Sequence, residues 1–76
     1  MIVYKIKNKE TGKFSTGGIE FKTLGKSWNS LIEIQDQLCY IRNIYSDIEI
    51  EKFFNVAKVV KIEIRELASF EPRDLI

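Results

Sequence analysis

The sequence predicts an α+β fold: a three-stranded antiparallel sheet, strand order 2-1-3, packed on one main helix. Two observations carry this. Residues 2–7, Ile-Val-Tyr-Lys-Ile-Lys, and residues 58–67 alternate apolar with charged side chains, the period of a half-buried strand. Between them, Leu31, Ile34, Leu38, Ile41 and Tyr45 recur at steps of three and four, the period of one helix face. The element order reads β-β-α-(short α)-β within a single domain, residues 1–76.

A hairpin occupies residues 1–21. In its first strand Ile2, Tyr4 and Ile6 point one way, Val3, Lys5 and Lys7 the other. Asn8 to Lys13 is a turn, with Gly12 as the left-handed residue that closes it. Phe14 to Thr16 returns as the second strand, and Phe14 joins the core side. Gly17-Gly18 interrupts it as a bulge, kink or loop. Ile19 to Phe21 either resumes the strand or anchors a loop. Thr23 to Lys26 connects, with Gly25 permitting a reversal.

The main helix spans 27–45, capped by Ser27 or, alternatively, Asn29. Trp28, Ile32 and Cys39 widen its apolar face, and Arg42 suits its C-terminal end. Ser46-Asp-Ile-Glu49 has the form of a capping box. It starts a short helix through about Asn55, with Ile50, Phe53 and Phe54 inward. The competing reading is an extended Ile48-Glu-Ile50. The third strand, 58–67, turns Val60, Ile62 and Ile64 inward and Lys61, Glu63 and Arg65 outward. Pro72 ends regular structure in the tail, 68–76, where Phe70 is a candidate core contact.

The bulk chemistry excludes more than it assigns. A 76-residue chain has a thin core. Its net charge of +1 gives no general attraction to polyanions. The charge is uneven, however. Residues 1–26 hold six lysines against Glu10 and Glu20, a net +4, and the remainder nets −3. This reads either as solvated lysines or as a basic hairpin that meets an acidic partner or another copy. One cysteine, Cys39, allows no internal disulfide and is expected buried on the helix face. The lone thiol fits a reducing cytoplasm. No histidine is present, which removes the commonest general base and metal ligand. No signal peptide and no membrane span are expected, because Met1-Ile-Val-Tyr leads into alternating lysines and no apolar run is long enough.

Candidate chemistry is sparse. Glu33 with Asp36, and Asp47 with Glu49 and Glu51, are paired carboxylates, but so small a fold offers no cleft to shift their pKa values. Their spacing matches no calcium loop. Thr16-Gly17-Gly18 is a weak anion-nest pattern. Ser15, Ser27 and Ser30 have no histidine to activate them. No catalytic residue, cofactor or metal site is assigned, and no enzyme is expected. The lysine hairpin with Tyr4 and Phe14 admits nucleic-acid binding, yet Tyr4 and Phe14 turn from the outer lysines, and Glu63 opposes phosphate. Protein binding fits better. The sheet has edges open to a further strand, and a homodimer is one way to add burial.

Tyr4-Lys-Ile-Lys-Asn-Lys-Glu-Thr-Gly-Lys-Phe-Ser-Thr-Gly-Gly18 and Gly25-Lys-Ser-Trp28 carry a resemblance. They resemble small uncharacterised bacteriophage-encoded proteins with a K-x-T-G-x-F-S-x-G-G hairpin followed by G-K-x-W and a helix. The closing V-x-x-x-E strand of those chains is similar to Val59 through Leu67. Phe53-Phe54 and the tail after Leu67 depart from the pattern. No functional residue transfers. The resemblance implies context: such proteins often bind and block a host protein, including restriction or CRISPR defence components. The expectation is therefore a non-enzymatic protein-binding module, a phage-type inhibitor or modulator acting in the cytoplasm of a bacterial host cell. Its contact residues are expected among Lys5, Lys7, Lys9, Lys13, Lys61 and Arg65. The alternatives are a nucleic-acid-binding accessory protein and a self-associating assembly protein.

Overall fold

A computed structural model describes residues 1–64 and 68–75. The chain is α+β, with helices on one side of an antiparallel sheet. That sheet has four strands, not three, in the order β3-β2-β1-β4. They are β1 (Ile2–Asn8), β2 (Phe14–Ser15), β3 (Phe21–Lys22) and β4 (Ala57–Glu63). The expected 2-1-3 arrangement survives as β2-β1-β4. The fourth strand arises because Phe21 opposes Ser15 and turns its ring onto the buried Phe53, centroids 5.5 Å apart. Two residues suffice where a core ring anchors them.

Helix α1 runs Leu31–Ile44, later than expected. Its N-cap is Ser30, not Ser27 or Asn29, because Ser30-Leu-Ile-Glu33 is a capping box. Glu33 N donates to Ser30 Oγ at 3.2 Å, and Glu33 Oε2 accepts from Asn29 N at 2.7 Å and Ser30 N at 3.2 Å. Trp28 is thus left outside the helix. It is extended and buried, and exchanges both backbone hydrogen bonds with Tyr4 at 2.8 Å. It continues the edge of β1 that the short β2 leaves unpaired. Helix α2 (Asp47–Val56) settles residues 46–55 as helical, with the Ser46/Glu49 capping box in place.

The core gathers Ile6, Trp28, Ile34, Ile41 and Phe53, with Tyr4, Ile19, Phe21, Leu38, Tyr45 and Ala57 against it. The helix stripe is narrower than its sequence period. Ile34 and Ile41 are buried, but Leu31 is 56% exposed and Ile32 70%. Cys39 is exposed, not buried, on the far side of α1. Phe54 is 40% exposed, and Phe70 stands out at 71% rather than tucking inward. Pro72–Leu75 forms a 3-10 turn.

The largest correction concerns the two faces of the sheet. Side chains directly opposite on antiparallel strands share a face. Tyr4 opposes Lys61, Ile6 opposes Val59 and Asn8 opposes Ala57, so those residues line the helix side. Val3 opposes Ile62, Lys5 opposes Val60 and Lys7 opposes Lys58, on the open side. Val60 and Ile62 therefore face away from the helices, and Lys61 and Glu63 stand on the helix side, beyond its cover. Ile64, bonded to Met1, follows Val60 and Ile62. Phe14 opposes Lys7 and also lies on the open face, while its neighbour Ser15 is the buried residue. The cause is the junction of α2 with β4. No loop separates them, and the Ala57 N–H caps the helix on Phe53 O. Ala57 must face the core with Phe53, which fixes the phase of every residue after it. The part of the expected third strand at residues 65–67, Arg65 included, lies outside the described residues.

Gly12 closes the first turn at φ +75, as its position indicated. Gly25, at φ +59, lets the 23–26 loop pass against β2. A Cβ there would lie 2.4 Å from Phe14 Cβ and 2.8 Å from Phe14 backbone atoms.

Two contrasts test this packing by urea denaturation. Ile41→Ala should lower stability by about 3 kcal/mol, whereas Ile32→Ala, nearer the start of α1 and on its solvent side, should change it by under about 0.5 kcal/mol. Gly25→Ala should lower it by at least about 2 kcal/mol, from backbone strain and the clash with Phe14 together.

Candidate interaction surface

Four side chains on the open face align across the whole sheet. Lys58 of β4 opposes Lys7 of β1, Lys7 opposes Phe14 of β2, and Phe14 opposes Lys22 of β3. With strands about 4.8 Å apart the row spans roughly 14 Å. Lys5 lies beside it, its Nζ 4.6 Å from the centre of the Phe14 ring and 2.5 Å from Leu24 O. These contacts pin Lys5 toward the middle of the row. Among the described residues, no carboxylate belongs to it. The nearest in sequence, Glu20, pairs loosely with Lys22 at 3.8 Å, both side chains well exposed.

Like charges directly opposite one another destabilise a sheet. Lys7 and Lys58 are such a pair. At the β3 end the row opens into a shallow cleft of about 530 Å³, walled by Lys13, Lys22, Lys26, Thr16 and Thr23 over Leu24. Toward the other end of β1 and β4 the same face becomes apolar. Val3 is buried, Val60 and Ile62 are half-buried, and Ile64 is half exposed. The face is thus cationic at one end and aliphatic at the other.

The sequence-predicted contact residues divide accordingly. Lys5 and Lys7 are on this face, and Lys13 walls its cleft. Lys9 lies in the β1–β2 turn, with its backbone N–H bonded to Val56 O. Lys61 is on the opposite side of the sheet. Lys22, Lys26 and Lys58 belong to the surface and were missed. Each appears in the sequence only as one charge among many, and the register that aligns them is a tertiary property.

Several of the other candidates are occupied structurally. Glu33 and Glu49 serve as capping carboxylates. Around Thr16-Gly17-Gly18 the Gly17 N–H donates to Ser15 Oγ at 3.1 Å, Ser15 Oγ donates to Gly18 O at 2.6 Å, and Gly17 O accepts from Gln37 Nε2. The loop is a knot of internal bonds anchored to α1. Among the described residues no group of three or more His, Cys, Asp or Glu could hold a metal ion. Also among them, no helix is long and apolar enough to cross a membrane.

Lys58→Glu should turn the repulsion across β1 and β4 into attraction. It is expected to raise stability by about 0.2–1 kcal/mol at low salt, with the gain shrinking as salt is added. Urea midpoints at two ionic strengths measure it. No family model matches this chain, and neither a curated protein nor a solved structure matches it.

Proposed function

We propose that this chain is a non-enzymatic protein-binding module that docks an acidic surface of another protein on the open face of its sheet. The observation that carries the reading is the aligned row Lys58–Lys7–Phe14–Lys22, with Lys5 beside it. Opposed lysines lower stability on their own and are relieved when carboxylates approach. The aliphatic end of the face supports a protein partner, since Val60, Ile62 and Ile64 offer apolar area that a phosphate backbone cannot use. The resemblance to small phage proteins supports a host protein as that partner, and inhibition or modulation as the result. A defence component of the restriction or CRISPR type fits that context. Such a partner puts the site of action in the cytoplasm of a bacterial host cell.

One observation favours a second reading, nucleic-acid binding. The register takes Glu63 off the open face and puts Phe14 among the lysines, where a base has a ring to stack on.

Affinity capture from bacterial lysate, repeated with a Lys7→Glu/Lys58→Glu variant, tests the reading. A specific co-eluting protein should be retained by the parent chain and weakened at least about tenfold by the variant. The variant's circular dichroism should be unchanged. Mobility shifts with single- and double-stranded DNA and RNA at low salt should show no retention. Retention that falls steeply with salt and is lost in the variant would replace the protein reading with the nucleic-acid one.

A further inference from the structure

The cleft at the β3 end of the sheet gathers residues from three stretches of chain. Lys13 directly precedes β2, Phe21 and Lys22 form β3, and Thr23, Leu24 and Lys26 come from the loop that follows. The loop wall is held by the chain itself. Lys26 N–H donates to Ser15 O at 2.8 Å, Lys5 Nζ donates to Leu24 O at 2.5 Å, and Gly25 lies against Phe14. These bonds fix the wall without using the ammonium groups that line it. Lys26 Nζ has the Trp28 ring at 5.6 Å, and Lys22 Nζ has Glu20 at 3.8 Å, beyond hydrogen-bond length. Among the described residues, the Lys13 ammonium has no ion-pair or hydrogen-bond partner.

We propose that this cleft binds a nucleoside diphosphate, with the phosphates on Lys13, Lys22 and Lys26 and the nucleoside lying over Leu24 and Phe21. Cations that converge on one concavity call for a ligand with several anionic oxygens at one end. A single carboxylate supplies too little charge, whereas two linked phosphates match three lysines. A lysine ammonium meets phosphate oxygens as a point charge, so lysines arriving from separate segments serve as well as a planar fork. The floor sets the other end of the ligand. Leu24 is 80% exposed and Phe21 is half-buried, apolar surface that phosphate alone leaves uncovered. The volume of about 530 Å³ falls within the roughly 300–1,000 Å³ of small-molecule sites. Because the cleft is shallow, a flat heterocycle covers more of its floor than a compact aliphatic body of equal size. Glu20 is the opposing charge, since its carboxylate stands near Lys22 and repels phosphate there.

This proposal stands on the cleft and its loop, and does not depend on the proposed function. Lys7 and Lys58 do not line the cleft, and Lys58 is roughly 14 Å from Lys22 along the row.

Titration calorimetry with ADP, pyrophosphate and adenosine, at about 0.15 M salt, provides the test. ADP should bind most tightly, pyrophosphate at least about fivefold more weakly, and adenosine not measurably. Lys13→Ala and Lys26→Ala should each weaken ADP at least about tenfold with circular dichroism unchanged. Leu24→Ser should weaken ADP and leave pyrophosphate within about twofold. Glu20→Gln should tighten ADP. Lys7→Glu/Lys58→Glu should leave ADP within about threefold, so that loss of a protein partner and loss of nucleotide binding are separate results. On ADP addition, amide shifts of the isotope-labelled chain should centre on residues 22–26. No binding of ADP, adenosine or pyrophosphate binding as tightly as ADP, lysine variants that bind like the parent, or shifts centred elsewhere would overturn the proposal.

Discussion

The orientation of this molecule depends on a junction with no loop in it. Helix α2 ends at Val56 and β4 begins at Ala57. Phe53 is locked in the core, stacked on Phe21, and Ala57 is tied to it by the helix-capping hydrogen bond. A strand that starts from a fixed residue has no freedom to choose its phase. A slip of one residue would exchange every side chain between faces. Lys58, Val60 and Ile62 are thereby committed to the open face, and Val59, Lys61 and Glu63 to the helix side. The seven-residue register with β1, from Ile2 opposite Glu63 to Asn8 opposite Ala57, transmits the same phase to the rest of the sheet.

This junction explains where the sequence is legible and where it is not. The helix period marks Ile34, Leu38, Ile41 and Tyr45 correctly, because a 3.6-residue repeat needs no knowledge of neighbours. The Ser46/Glu49 box is visible for the same reason. Ser30 and Glu33 form an identical pattern, but Trp28 extends the apolar face upstream and Ser27 stands before it as a possible cap, which draws the helix start toward them. Trp28 is instead held by Tyr4, a partner 24 positions away, which no local pattern reveals. β4 is ambiguous by composition. Val59 lies in one alternate set, Val60, Ile62 and Ile64 in the other, and counting β-branched residues selects the wrong one. Hydrophobicity favours the larger set for the core, whereas covalent continuity with α2 imposes the smaller. β2 and β3 are two residues each, too short to display any period.

The same phase separates charge by layer. Helices α1 and α2 carry Glu33, Asp36, Asp47, Glu49 and Glu51 against Arg42 and Lys52, a net −3. The open face of the sheet carries Lys5, Lys7, Lys22 and Lys58. A chain with a net charge of only +1 is therefore strongly polar across its thickness. Such an arrangement contributes little attraction at long range, where the charges cancel. It orients the molecule once a charged surface is near. The capping boxes account for part of the acidic layer on structural grounds alone, since Glu33 and Glu49 are required at the helix N-termini. The cationic layer has no comparable structural use. Lys5 is ordered by its contacts on Phe14 and Leu24 O, and Lys22 has a loose, exposed pair with Glu20.

A β-strand at the edge of a sheet offers two independent surfaces, because side chains alternate across its faces while backbone groups alternate between its sides. In β4 these two alternations coincide residue by residue. Lys58, Val60 and Ile62 bond inward to β1 and direct their side chains to the open face. Val59 and Lys61 direct their side chains to the helix side and leave their backbone groups facing outward. The face and the edge therefore draw on different groups of one strand: side chains of one alternate set for the face, backbone groups of the other for the edge.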